Sequence, residues 1–185
     1  ALQFSGSEIV MIDNLMTQRF PSLFNLPTSA KYSFIEGDLT SMELNPIFKG
    51  VDTVIHLAAI TDAAGSVDNA ELLESNNFIG TEKVAIACLE NACNLITLSS
   101  TSVYGTQNSL VSEDCDESEL QPQSPYAITK LKEERLIDSL FKEHGLSAVS
   151  LRFGTIFGHS PGMRFHTAVN KFCWQAVMDL PITVW

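Results

Sequence analysis

Apolar and polar positions along this chain switch between two periods. The runs Glu8 to Asp13, Tyr32 to Glu36, Val51 to Leu57, Leu95 to Ser99 and Ser147 to Leu151 are β-rich and strand-length. Asn69 to Cys93 instead puts Leu72, Leu73, Val84, Cys88, Leu89 and Ala92 on one face of a single long helix, and a second amphipathic pattern runs from Tyr126 to about Lys142. Further helices are predicted over Ser41 to Phe48 and His166 to Met178. Val51 to Leu57 is nearly all apolar, as a parallel strand buried on both faces should be. Strand, helix, strand order predicts an α/β fold with a parallel sheet and right-handed crossovers.

Boundary residues sharpen these elements. Ser124 can cap the helix of Tyr126, with Pro125 at its first position, and Gly145 ends it. Asp38 can cap the helix from Ser41. Residues 14–30, with Pro21 and Pro27, read as a loop or broken helix. Residues 1–7 read as the tail of a helix turning at Gly6, and Pro181 to Trp185 as the start of a strand.

Composition narrows the class. The chain has 185 residues, 45% of them hydrophobic, enough for one domain with a real core. Its net charge of −11 argues against a nucleic-acid or anionic-membrane partner. No apolar run approaches the ~20 residues that cross a bilayer, and the chain is expected to be cytosolic. Cys88, Cys93, Cys115 and Cys173 show no C-x-x-C spacing; they are expected to be buried or incidental thiols in a reducing compartment, with no metal site. The acidic stretch Ser112 to Glu119 lacks a calcium loop's alternating ligands and central glycine, so it reads as a solvated loop. His56, amid apolar neighbours, is expected to be packed and hydrogen-bonded.

The chemistry is concentrated between Leu98 and Lys130. Tyr126 and Lys130 are four apart, on one face of a helix. A tyrosine is a poor base at neutral pH, its ordinary pKa being about 10. An ammonium roughly 4 Å away at an effective dielectric near 20 is worth on the order of 4 kcal/mol, about three pKa units, enough to make it a usable proton acceptor. Ser100, at the end of the preceding strand, could offer a hydroxyl to the same reacting oxygen. Alone, a Tyr-x-x-x-Lys spacing is common on surfaces.

Further motifs accompany it: Val54-Ile55-His56-Leu57-Ala58-Ala59, Asn77-Phe78-Ile79-Gly80-Thr81, Ser99-Ser100-Thr101-Ser102-Val103-Tyr104-Gly105 and Ser124-Pro125-Tyr126-Ala127-Ile128-Thr129-Lys130. In this order the set resembles the extended short-chain dehydrogenases, the NAD-dependent nucleotide-sugar epimerase/dehydratase family. The resemblance implies a Rossmann-like, doubly wound parallel sheet over residues 1–154 and the start of a small substrate-binding lobe over 155–185. No first strand and no G-x-x-G-x-x-G turn precede Glu8, so the front of that fold is expected to be missing.

The resemblance also implies roles. Ser100, Tyr126 and Lys130 would be catalytic, with Lys130 binding the nicotinamide ribose and lowering the tyrosine pKa. Asp13, Asn14, Asp38, Leu39, Leu57, Ala58, Ala59, Asn77, Ser99 and Phe153 would contact NAD, together with Tyr126 and Lys130. The acid at Asp13 would hold the adenosine ribose and repel a 2′-phosphate, favouring NAD over NADP. Asn77 would serve mainly as structural support. Thr101, Thr155 and Arg164 would face the nucleotide-diphosphate sugar. Thr155 replaces the family's usual asparagine, and Thr61 stands where some epimerases carry lysine. The activity implied is NAD-dependent 4-epimerisation by transient C4 oxidation, in a homodimer. A decarboxylase or dehydratase of the same family, a non-catalytic dinucleotide-binding protein and an inactive fragment stay open as alternatives. Against dehydration, Thr101 and Ser102 follow Ser100 where related dehydratases carry an aspartate and a glutamate.

Overall fold

The computed structural model describes residues 6–61, 70–106, 110–165 and 167–182. In chain order the elements are β1 (Glu8–Asp13), a 3-10 turn (Phe20–Leu23), β2 (Lys31–Glu36), α1 (Asn45–Phe48), β3 (Thr53–His56), α2 (Ala70–Glu74), a π-helical segment (Ser75–Ile79) and α3 (Gly80–Glu90). β4 (Asn94–Ser100), 3-10 turns at Thr101–Tyr104 and Glu117–Glu119, α4 (Pro125–His144), β5 (Ala148–Phe153) and α5 (Ala168–Val177) follow. Two compact units form: Ala1–Asp38 with Thr155–Trp185, and Leu39–Gly154.

In the first unit β1 and β2 pair in parallel, Glu8 opposite Lys31 and Asp13 opposite Glu36. In the second, β3, β4 and β5 form a parallel sheet in that order, as the alternation of strands and helices predicts for a Rossmann-like fold. The register puts Val54, His56, Leu95, Thr97 and Ser99 on one face, because alternate side chains of a strand share a face and Val54 lies opposite Leu95. Leu95, Thr97, Ser99 and His56 are buried there, with Val84, Ala85 and Cys88 of α3 and Ala127, Leu131 and Ile137 of α4 completing the core.

Several elements depart from expectation. The helix from Ser41 shortens to Asn45–Phe48, since Pro46 has no N–H and its ring would clash with the carbonyl of Met42; it fits only in the first turn. Leu44, not Asp38, therefore stands at the N-cap position. The long helix is described from Ala70 and contains the π-helical segment at Ser75–Ile79, an extra residue in one turn centred on buried Asn77. It ends at Glu90, where Asn91 caps back to the Ala87 carbonyl and Ala92 takes a left-handed φ of 54°. β3 is not covered on both faces: Ile55 is 45% exposed, and Leu57, just after the strand, is 62% exposed.

β5 is shifted one residue later than Ser147 to Leu151 implied at its start and two at its end. The second half of α4 is longer than its apolar pattern, reaching His144, where Gly145 at φ 75° lets the Gly145 and Leu146 N–H groups bond the Phe141 and Leu140 carbonyls. Gly6 and Ser7 are not helical: the Gly6 N–H bonds the Ser29 carbonyl and the Lys31 N–H bonds that of Ser7. Residues 1–5 and 183–185, and so most of the expected front helix and final strand, lie outside the described residues, as does His166 at the expected start of α5. Pro181 and Ile182 are not in a strand.

All four cysteines are free; Cys88 and Cys93 are buried, Cys115 is half-buried and Cys173 exposed. Among the described residues no helix is long and apolar enough to cross a membrane, and no cluster of three or more His, Cys, Asp or Glu is placed to hold a metal.

Candidate active site

The start of α4 is fixed by its cap. Ser124 Oγ accepts from the Ala127 N–H at 3.1 Å and Pro125 occupies the first turn, so Tyr126 and Lys130 stand one turn apart at a defined end of the helix. Lys130 is buried, with Nζ 5.9 Å from the centroid of the Tyr126 ring. That is within cation–π range. α4 packs on β4 and on the Thr101–Tyr104 turn, which carries the serine run to the same neighbourhood.

Ser100 ends β4 and caps that turn. Its Oγ accepts from the Ser102 N–H at 3.2 Å and from Ser102 Oγ at 2.8 Å. With both lone pairs engaged, the hydroxyl of Ser100 is left with its own proton to donate. Thr101 Oγ1 donates to the Phe153 carbonyl at 3.5 Å, and Ser99 is buried with its hydroxyl unpartnered.

One ion pair ties these parts together. Arg152 of β5 makes a forked contact with Glu134 of α4, Nε to Oε1 at 3.0 Å and Nη2 to Oε2 at 2.7 Å. Its Nη1 donates to the Tyr104 hydroxyl at 2.9 Å, and the guanidinium lies 4.8 Å from the Tyr104 ring centroid. β5, α4 and the serine turn are thereby linked through one cation.

Asn77 pins the chain after β3. It is 1% exposed; its Oδ1 accepts from the Ile60 N–H at 2.8 Å and its Nδ2 donates to the Ile60 carbonyl at 2.9 Å. A side-chain amide paired twice with one residue's backbone holds the exposed Leu57-Ala58 stretch and Ala59 in place, which is a supporting position. Beneath the site His56 Nε2 is 3.0 Å from Thr81 Oγ1. Burial, helped by the Lys130 charge, pushes the His56 pKa down to about 4, so the ring is neutral near pH 7.

The first unit gathers another set. Asp13 Oδ1 accepts from the Leu15 N–H at 2.6 Å, and Asn14 Nδ2 donates to Asp38 Oδ2 at 3.0 Å. Asp13, Asn14 and Asp38 thus meet where β1 and β2 end. Thr155 is exposed after β5, and Arg164 is half-buried in a turn whose carbonyl accepts from Asn170 Nδ2 at 2.9 Å. Leu39 belongs to the other unit and is half-buried there. The stretch Ser112 to Glu119 is mostly exposed, and Glu117 pairs with Arg135.

Three side-chain roles in the second unit's site are not written in the motifs, although Thr81 and Ser102 belong to them. Glu133 bonds Lys130 Nζ through Oε2 at 2.9 Å, Thr81 engages His56, and Ser102 orients Ser100. Only the Lys130-x-x-Glu133 spacing was a usable signal, since residues three apart on a helix are neighbours.

Comparison with known proteins shows the family. The family model for the NAD dependent epimerase/dehydratase family matches residues 1–185. The chain belongs to that family. An uncharacterized UDP-glucose epimerase of Bacillus subtilis is 32% identical over 170 residues, covering 90% of this chain and 52% of that protein. A trifunctional Arabidopsis thaliana enzyme whose activities include UDP-glucose 4,6-dehydratase is 29% identical over 184 residues, 95% of this chain and 27% of its own length. The solved UDP-glucuronic acid 4-epimerase of Bacillus cereus, in complex with NAD, superposes with a TM-score of 0.80 at 28% identity, covering 96% of this chain and 57% of that one. The chain thus spans about half the length of the epimerases it matches.

Proposed function

We propose that this chain carries the cofactor-binding and catalytic part of an NAD-dependent nucleotide-sugar 4-epimerase. The observation that carries the reading is the pairing of Tyr126 and buried Lys130 at the capped end of α4, a helix that packs on the strand and turn joined by Ser100, whose hydroxyl is oriented to donate. Tyr126 as phenolate takes the proton of the sugar 4-hydroxyl, and Ser100 donates a hydrogen bond to that oxygen. Lys130 sustains the phenolate by its charge and offers further N–H donors to a ribose. NAD, when bound, supplies the hydride acceptor for C4. Tyr126 then returns the proton as the 4-keto sugar is reduced on its other face, leaving the sugar epimerised. Acid–base help of this kind is worth about 10² to 10⁴ in rate.

The donor set fits the cofactor. Asp13 spends Oδ1 on the Leu15 N–H and keeps Oδ2 for ribose hydroxyls, while its charge disfavours a 2′-phosphate. Small Ala58 and Ala59, on the segment that Asn77 pins, let a cofactor approach the backbone. Leu39, Leu57, Ser99 and Phe153 complete the proposed NAD contacts. Thr101, Thr155 and Arg164 remain the proposed substrate contacts, with residues 155–185 the beginning of a substrate lobe. Ile79 and Ile86, seven apart on the long helix, and Ile128 on α4 are exposed apolar residues that support pairing of two copies. The four free thiols support a reducing, cytosolic setting.

A dehydratase would need an acid and a base beside the oxidised sugar. Thr101 and Ser102 are hydroxyls already bonded to the Phe153 carbonyl and to Ser100. The product made by the full-length protein from nucleotide sugars decides the matter. An epimer of unchanged mass is expected; loss of water, or of carbon dioxide from a uronic acid, would replace this reading with dehydration or decarboxylation.

A further inference from the structure

Glu133 stands one turn beyond the catalytic pair, at a position that packing alone does not require to be charged. Its side chain and that of Lys130 are each 6% exposed, and Oε2 lies 2.9 Å from Nζ. The other oxygen, Oε1, is buried with no hydrogen-bond partner. A buried ion pair is a poor source of stability, because desolvating both charges offsets their attraction, and an apolar residue of similar volume often serves as well or better. A carboxylate with one orphaned oxygen is a costly way to fill space.

The surroundings leave Lys130 as its main charged partner. From β3, His56 is neutral. From α3, the Thr81 hydroxyl, 3.0 Å from His56 Nε2, is also a side-chain hydrogen-bond partner that favours the Glu133 carboxylate. On α4, Glu134 is committed to Arg152, and the Tyr104 hydroxyl of the serine turn completes that pair. Glu74 of α2 pairs with exposed Lys132. Burial pushes the Glu133 carboxyl above its usual range and the Glu134 charge adds to the rise, while Lys130 opposes both.

We infer that Glu133 is a positioning residue for the tyrosine–lysine pair: its buried contact fixes the Lys130 ammonium near Tyr126 and moderates the positive field that the phenol feels. The inference rests on the reading of Tyr126 as the base. One ammonium proton is held by Glu133, and the remaining two can face the ring and a ribose. A single charge within a few side-chain lengths of a phenol, at an effective dielectric near 20, shifts its titration by roughly one unit. Glu133 therefore sets where Tyr126 titrates as well as where Lys130 sits.

The test is an ultraviolet difference titration of tyrosinate in the full-length holoenzyme. Subtracting Tyr126→Phe from the parent isolates the Tyr126 signal, and the same subtraction is made in the Glu133→Gln background. With the negative charge gone and Lys130 unopposed, the Tyr126 midpoint should fall by about one unit, as should the acid limb of the kcat/KM profile. An unchanged midpoint in a folded Glu133→Gln protein would overturn the inference and leave Glu133 a packing residue. Should Glu133→Gln not fold, the parent protein is read directly by NMR: a Lys130 ammonium signal protected from solvent exchange is expected, and its absence would overturn the inference. The titration needs no turnover, so it separates from the base assignment. A Tyr126→Phe enzyme that stayed active would sink the proposed function, whereas an unshifted midpoint sinks only the role of Glu133.

Discussion

Acid should destabilise this protein through His56 in a window set by its burial. The unfolded histidine takes up a proton below about pH 6.5, whereas the folded ring resists until about 4. Between those values the unfolded state binds more protons. The stability that neutral His56 preserves is therefore fully present above pH 6.5 and is lost as pH falls toward 4. Across the whole window the loss is about 3 kcal/mol, and of this about 2 kcal/mol has gone by about pH 5. His56→Gln, whose amide can still reach Thr81, removes the titration but keeps a polar partner. Urea unfolding followed by circular dichroism, from about pH 8 to about pH 5, should show the parent losing about 2 kcal/mol more than the variant. Groups that titrate equally in both proteins cancel in that difference. Parallel curves would refute the argument, because they would mean that His56 is charged in the folded protein or reaches water.

Two further predictions bear on the site. Asn77→Asp should weaken NAD binding by at least tenfold and lower stability by about 2 kcal/mol, since a carboxylate cannot donate to the Ile60 carbonyl and is buried; calorimetric binding at the parent's affinity would show that pinning Ile60 does not matter to the cofactor. The full-length protein should be a dimer by light scattering at micromolar concentration, and a monomer would remove the helix-face argument built on Ile79, Ile86 and Ile128.

How much of this was legible in the sequence varies with how local the cause is. The strands around Ile9, Ile35 and Leu95, and the capped helix of Tyr126, rest on short-range spacing and capping, and the structure follows them closely. The helix from Ser41 was overextended although its obstacle, Pro46, was in plain view. The π-helical segment at Ser75–Ile79 was hidden, because one extra residue in a turn barely disturbs an apolar stripe. Exposure of Ile55 and Leu57 depends on what covers a sheet face, which an apolar run cannot reveal. Glu133 was hidden for a related reason: a Lys-x-x-Glu pair on a helix is ordinarily a solvated surface pair, whereas here both side chains are only 6% exposed.

Tyr126 as the proton acceptor is the centre of the proposed reaction. The direct measurement is turnover of the full-length Tyr126→Phe enzyme beside its retained NAD, because the phenylalanine ring keeps the packing near Lys130 and removes only the hydroxyl. A loss of about 10² or more in kcat, with NAD bound as in the parent, is expected. A variant that kept more than about a tenth of the parent rate, below the loss expected for a missing acid–base group, would contradict it.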